Sequence, residues 1–154
     1  MEIKALLPRS HVLLHLAGSD REAILRALMQ PLLADGMVTA PDTLMADLLR
    51  RDDEITTQLE AGVAFPHART HAVRRLGLTV GIADPPGLVF SPEYGRCCRL
   101  FFFITVPSFA PTAHLPLLQL LADMAHDSKR RQRLLASRTP AQAVRLVSTY
   151  KGTS

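Results

Sequence analysis

The sequence predicts an α/β fold in which a central β-sheet is covered by helices on both faces. Three observations predict it. Apolar residues recur at helical spacing in the early and the late parts of the chain. The middle carries short runs rich in Val, Ile and Phe, divided by Pro and Gly. One of these, LFFFITV from Leu100 to Val106, is apolar on both faces, the pattern of a central strand packed against helices on each side.

Taken in order, His11 to Leu16 (HVLLHL) is short, apolar and bounded by Gly18, and reads as a strand. Ser19-Asp20-Arg21-Glu22 has the S-x-x-E form of a capping box. It opens a helix with Ile24, Leu25, Leu28, Leu32 and Leu33 at helical spacing, ending near Gly36. Thr39, with Pro41 in the first turn, opens another helix carrying Leu44, Leu48 and Leu49. Strand segments follow at Val63 to Phe65, Leu76 to Ala83 and Arg99 to Val106, and Asp84-Pro85-Pro86-Gly87 is a turn. From Thr112 the period is helical again, with Leu115, Leu118, Leu121, Ala122 and Ala125 along one face. A further helix is expected around Ser128 to Ala136, and a last one from Thr139 with Pro140 at its first position.

The chain has 154 residues, enough for one domain with a proper core. No apolar run approaches the roughly 18 residues of a membrane span, and the start lacks a signal-peptide core, so a cytoplasmic protein without direct membrane insertion is expected. Cys97 and Cys98 are adjacent. Their Cα atoms, ~3.8 Å apart, are too close for a relaxed disulfide, and two thiols, buried or on an edge strand, are expected. The net charge of +4 is mild, and its densest cluster, Lys129-Arg130-Arg131-Gln132-Arg133, reads as a solvated helix face. With no Trp and few aromatics to stack bases, nucleic-acid binding is not expected.

Of the six histidines, His11, His15, His71 and His126 sit in contexts that give no reason to prefer function. His67 differs. Pro66 cannot donate to a sheet ladder and biases Phe65 toward extended backbone, so a strand is expected to end here with His67 at its end, where α/β folds build sites. A structural histidine remains an equal reading on spacing alone.

The segment TTQLEAGVAFPHA, Thr56 to Ala68, resembles the phosphorylation-site segment of enzyme IIA of the fructose–mannitol class of the phosphoenolpyruvate-dependent sugar phosphotransferase system, a family that includes nitrogen-regulatory IIA-like proteins. Arg51-Asp52 stands where the family has Arg-Glu, and Thr56-Thr57 where it has Ser-Thr; Gly62, Val63, Ala64, Pro66 and His67 match in place. A second match, APTAHLPLLQLLADMAHD, is similar to the family's leucine-rich helix and puts His114 at the position of its second histidine. Gln58 and Glu60 replace two motif glycines, and Ala68-Arg69 replaces Gly-Lys. The resemblance runs from about Arg9 to Val147. It implies the type-2 IIA phosphotransferase fold, a three-layer α/β/α arrangement with a mixed central sheet, as one domain over 1–148 followed by a tail over 149–154.

The resemblance further implies that His67 accepts and donates a phosphoryl group as a phosphohistidine. His114, Arg51 and Arg69 would stabilise the phosphate, with Thr57 a candidate by motif position. Neither metal nor cofactor is required. The implied partners are an HPr-like phosphocarrier as donor and a IIB cysteine as acceptor. Alternatively, the chain is a regulatory IIA module that controls a partner protein by binding, with or without phosphorylation. Two other readings compete. A metal site would use His67 and His71, spaced i, i+4, with His114, but the segment lacks the H-E-x-x-H glutamate. A nucleic-acid-binding domain would need the basic stripe that is missing.

Overall fold

The computed structural model describes residues 2–54, 58–59, 62–91 and 97–151. The chain begins with helix α1 (Ile3–Leu6) and a 3₁₀ turn over Arg9–His11, then strand β1 (Val12–Leu14), α2 (Arg21–Ala34) and α3 (Pro41–Glu54). Strands β2 (Gln58–Leu59), β3 (Val63–Ala64), β4 (His67–Thr70), β5 (Gly77–Ile82), β6 (Leu88–Val89), β7 (Cys97–Cys98) and β8 (Leu100–Pro107) follow. Helices α4 (Leu115–His126), α5 (Ser128–Leu135) and α6 (Pro140–Ser148) close the described chain.

Among the described residues the main sheet has the order β1-β5-β8-β3-β2, with β4 also on β8. It is mixed: β5 runs antiparallel to β8, whereas β3 and β4 run parallel to it. β8 is buried throughout, and its alternation divides the core. Leu100, Phe102, Ile104 and Val106 face one layer with residues of α1, α4, α5 and α6; Phe101 and Phe103 face the other with residues of α2 and α3. The expected three-layer α/β/α arrangement is what the chain forms.

Local details differ from the sequence pattern where a neighbouring residue competes. The N-cap of α2 is Asp20, whose carboxylate accepts from the Ala23 amide at 2.8 Å, one residue later than the Ser19 of the expected box. Glu22 instead meets Arg26 one turn on. Of the expected first strand, Val12 to Leu14 pairs with β5 and the Leu16 amide still donates to the Ile82 carbonyl; His11 closes the 3₁₀ turn, buried, its Nδ1 donating to the Leu78 carbonyl and its Nε2 2.5 Å from Asp35. The Asp84–Gly87 turn is present, with the Gly87 amide on the Asp84 carbonyl, and Gly87 has φ +100°. A Cβ there would lie 2.7 Å from the Cys98 carbonyl oxygen, so glycine is required. Cys97 is exposed and Cys98 buried, both as free thiols; burial pushes Cys98 up to about 12.

Helix α4 is rotated from its expected phase. Leu117, Leu121, Met124 and Ala125 are buried, while Leu115 is 50% exposed. A helix with leucines at 115, 117, 118, 120 and 121 offers two stripes of equal period, and periodicity alone does not choose between them. Leu121→Ala is therefore expected to cost about 2–5 kcal/mol, whereas Leu115→Ala changes stability by no more than about 0.5 kcal/mol. Urea unfolding of the two variants checks this; equal losses would contradict the phase.

Candidate functional site

The register around Pro66 positions the site. Val63 and Ala64 pair with Leu100 and Phe101, and His67 pairs with Ile104, so β3 and β4 follow β8 in one unbroken register. The ladder skips only Phe65 and Pro66, and the Pro66 carbonyl still accepts from the Ile104 amide at 3.0 Å. The expectation that the strand ends at Pro66 is thus corrected. Pro66 removes one N–H, and the strand resumes at His67, opposite the middle of β8. Strand alternation then places His67 and Arg69 on the face covered by α4.

At the break the Phe65 carbonyl turns to the next imidazole. His67 Nδ1 lies 2.6 Å from it and must donate, because a carbonyl only accepts. This fixes the neutral tautomer, with the lone pair on Nε2. Arg51, from the last turn of α3, holds Nη2 3.2 Å from that Nε2, and the guanidinium donates to the lone pair. Its Nε, on the same edge of the guanidinium, is shielded and has no hydrogen-bond partner among the described residues. His114 comes from the opposite layer, at the N-cap position of α4, with its ring 5.7 Å from that of His67. Its Nδ1 is likewise shielded and unpaired among the described residues.

Arg51, His67, Ala68, Arg69 and His114 line one small cleft. The structure therefore brings together four of the five residues singled out from sequence; Thr57 lies outside the described residues, as does Glu60. His67 and His114 are buried, at 8% and 6% exposure, and Arg69 is exposed at the rim. At the start of α4 the Leu115 N–H is taken by the Thr112 carbonyl, and Pro116 has none to offer. Sequence reasoning missed the Phe65 carbonyl and the small Ala68 wall. The X-Pro-His order was the available signal for the first, since Pro restricts the residue before it. His71 stands apart, its Nδ1 paired with the Ser108 hydroxyl at 2.8 Å. Among the described residues no three His, Cys, Asp or Glu side chains are grouped to hold a metal ion, and no helix is long and apolar enough to cross a membrane.

A model of the family "Phosphoenolpyruvate-dependent sugar phosphotransferase system, EIIA 2" matches residues 5–150. The chain belongs to this family. Among relatives of this EIIA 2 chain, the fructose-specific EIIA component of Haloferax volcanii is 28% identical over 87% of the chain and 86% of its own length. The 2-O-alpha-mannosyl-D-glycerate-specific EIIABC component of Escherichia coli is 26% identical over 99% of the chain, which spans only 23% of that protein. Solved structures that share the fold include the following two. Nitrogen regulatory protein IIA-Ntr of Neisseria meningitidis is 22% identical, with a TM-score of 0.75 over 94% of this chain and 98% of that one. IIA mannitol of Escherichia coli is 22% identical, with a TM-score of 0.76 over 92% and 98%.

Electrostatics within the cleft follow from burial. Desolvation holds His67 below its ordinary value, opposed by the Phe65 hydrogen bond and reinforced by Arg51 and Arg69. His114 is lowered by desolvation, then by His67, Arg69 and Arg51. Between each lowered value and the ordinary one of about 6.5, the unfolded chain binds more protons than the folded chain. Both rings thus contribute stability that is present above about pH 6.5 and lost as the pH falls through their folded values. Histidine side-chain NMR should place the His67 midpoint below 6.5 and move it upward in Arg51→Ala, which removes a nearby positive charge. A midpoint at or above 6.5 in the wild type would contradict this.

Proposed function

We propose that the protein is a phosphoryl carrier in which His67 Nε2 takes a phosphoryl group from an HPr-like phosphohistidine donor and passes it to the cysteine of a IIB domain. The observation that carries this reading is the state of the imidazole. Nδ1–H is committed to the Phe65 carbonyl, and the Nε2 lone pair faces the Arg51 guanidinium in a cleft shared with His114 and Arg69. Family membership supports the reaction class, and one structural neighbour of 21% identity is described as a complex of enzyme IIA mannitol with phosphorylated enzyme IIB mannitol.

In the proposed step Nε2 attacks phosphorus in line, the new P–N bond forms as the donor's P–N bond breaks, and Nδ1 keeps its proton throughout. Onward transfer reverses this: the acceptor's thiolate sulfur takes phosphorus, and the electron pair returns to Nε2. A loose transition state spreads negative charge over three equatorial oxygens. Arg51, with Nη2 beside Nε2 and its Nε still unpaired among the described residues, supplies a two-pronged donor for two of them. His114 donates to another through a ring nitrogen, and Arg69 adds charge from the rim. Leu115, next to His114, is 50% exposed and gives a docking carrier apolar area beside the cleft, and Phe109, just past β8, is 77% exposed.

Incubation with phosphoenolpyruvate, enzyme I and an HPr-type carrier should add one acid-labile phosphoryl group, read by intact mass. His67→Ala is expected to take none, and His114→Ala to take one with transfer slowed on the order of 10²-fold. Stoichiometric labelling of His67→Ala would refute the assignment. An unlabelled wild type would shift the reading to a regulatory module acting by binding alone.

A further inference from the structure

The basic cluster on α5 does more than solvate a helix. Arg130 donates to the Leu146 carbonyl and Thr149 hydroxyl and lies over the Tyr150 ring, and Arg131 donates to the Ala125 carbonyl. Lys129 and Arg133 are left over, and Arg133 is the one that borders a cavity. It lines a cleft of about 280 Å³ between α5 and α6, with Ala136, Ser137, Gln142, Arg145 and Leu146. None of these lines the cleft around His67.

The lining is cationic without an acid. No carboxylate borders the cleft, and neither Arg133 nor Arg145 makes a side-chain ion pair among the described residues. The Ser137 hydroxyl is shielded from water and has no hydrogen-bond partner among the described residues, a costly state that a ligand oxygen would relieve. Gln142 Oε1 already accepts from the Arg138 and Thr139 amides, so its NH₂ is the end left to donate. Three of the carbonyls at the end of α5 that would repel an anion are taken up: Gln132 and Arg133 by the Ala136 amide, Leu134 by the Ser137 amide. Two guanidiniums, an amide and a hydroxyl over a floor of Ala136 and Leu146 suit a compact dianion with a small apolar body.

We propose that this cleft is a second anion site, separate from the His67 cleft, that takes a small phosphomonoester. The test is a titration of ¹⁵N-labelled protein with inorganic phosphate and with glycerol 3-phosphate at constant ionic strength. The amides of Ser137, Gln142 and Leu146 should shift saturably, with glycerol 3-phosphate binding more tightly than phosphate. His67→Ala should keep these shifts, and Arg133→Gln with Arg145→Gln should weaken them at least tenfold. Both arginines are exposed, so the double variant is expected to keep the wild-type spectrum elsewhere. A response confined to residues around His67 and His114, or shifts at Ser137 and Gln142 that survive the double variant, would overturn the proposal.

Discussion

A strand with apolar side chains on both faces cannot leave its backbone groups or its faces to water, so β8 must be paired along both edges and covered twice. β5 takes one edge in antiparallel pairing, while β3 and then β4 take the other in parallel. Helices α2 and α3 close one face, and α1, α4, α5 and α6 close the other. The candidate site arises because this edge of β8 is filled by a strand with a gap in it. On a continuous edge strand every backbone carbonyl would be spent on the ladder or turned to solvent. Beside the skipped pair the Phe65 carbonyl, on the side away from β8, accepts from the imidazole of His67 instead.

Proline in a sheet is usually a defect confined to edges and bulges. Here its cost is one missing N–H, and register is retained on either side, since His67 is as far from Ala64 as Ile104 is from Phe101. The interruption therefore changes what one carbonyl does without moving the side chains that follow. α3 packs beside β4 and brings Arg51 in from one layer, and α4 brings His114 from the other. A site assembled from both helical layers can meet only at a sheet position reachable from each, and the outer edge of β4 is such a position.

Much of this fold is legible in the residues because the signals are local. LFFFITV announces a doubly covered strand, Thr139 with Pro140 announces the start of α6, and Asp84 to Gly87 announces a turn. What was not legible required knowledge of neighbours. The phase of α4 depends on which of two leucine stripes meets the sheet. Asp20 displaces Ser19 as a cap because both can serve and the chain decides by where α2 starts. The buried pairing of His11 with Asp35 and Leu78 depends on α2 and β5 arriving together, and nothing within His11 to Leu16 signals it. For the site, the Pro66-His67 order drew attention to His67, and the resemblance to the family's motifs drew it to Arg51, Arg69 and His114, but the tautomer of His67 rests on a carbonyl, which has no letter of its own.

The charge state of the cleft links stability to the proposed chemistry. A phosphoryl group carries about −1.5 to −2 charge near neutral pH. Arg51 and Arg69 supply two positive charges. If both imidazoles were protonated as well, the cleft would hold four, the nucleophile would have no lone pair, and an arriving phosphate would be bound too firmly to leave. Burial lowers both rings and keeps them neutral, so the positive charge present matches the group in transit. The same desolvation weakens the fold when acid forces protons onto His67 and His114. For the proposed carrier, release has to be as ready as acceptance, and two imidazoles that burial holds below their ordinary value beside Arg51 and Arg69 suit that requirement.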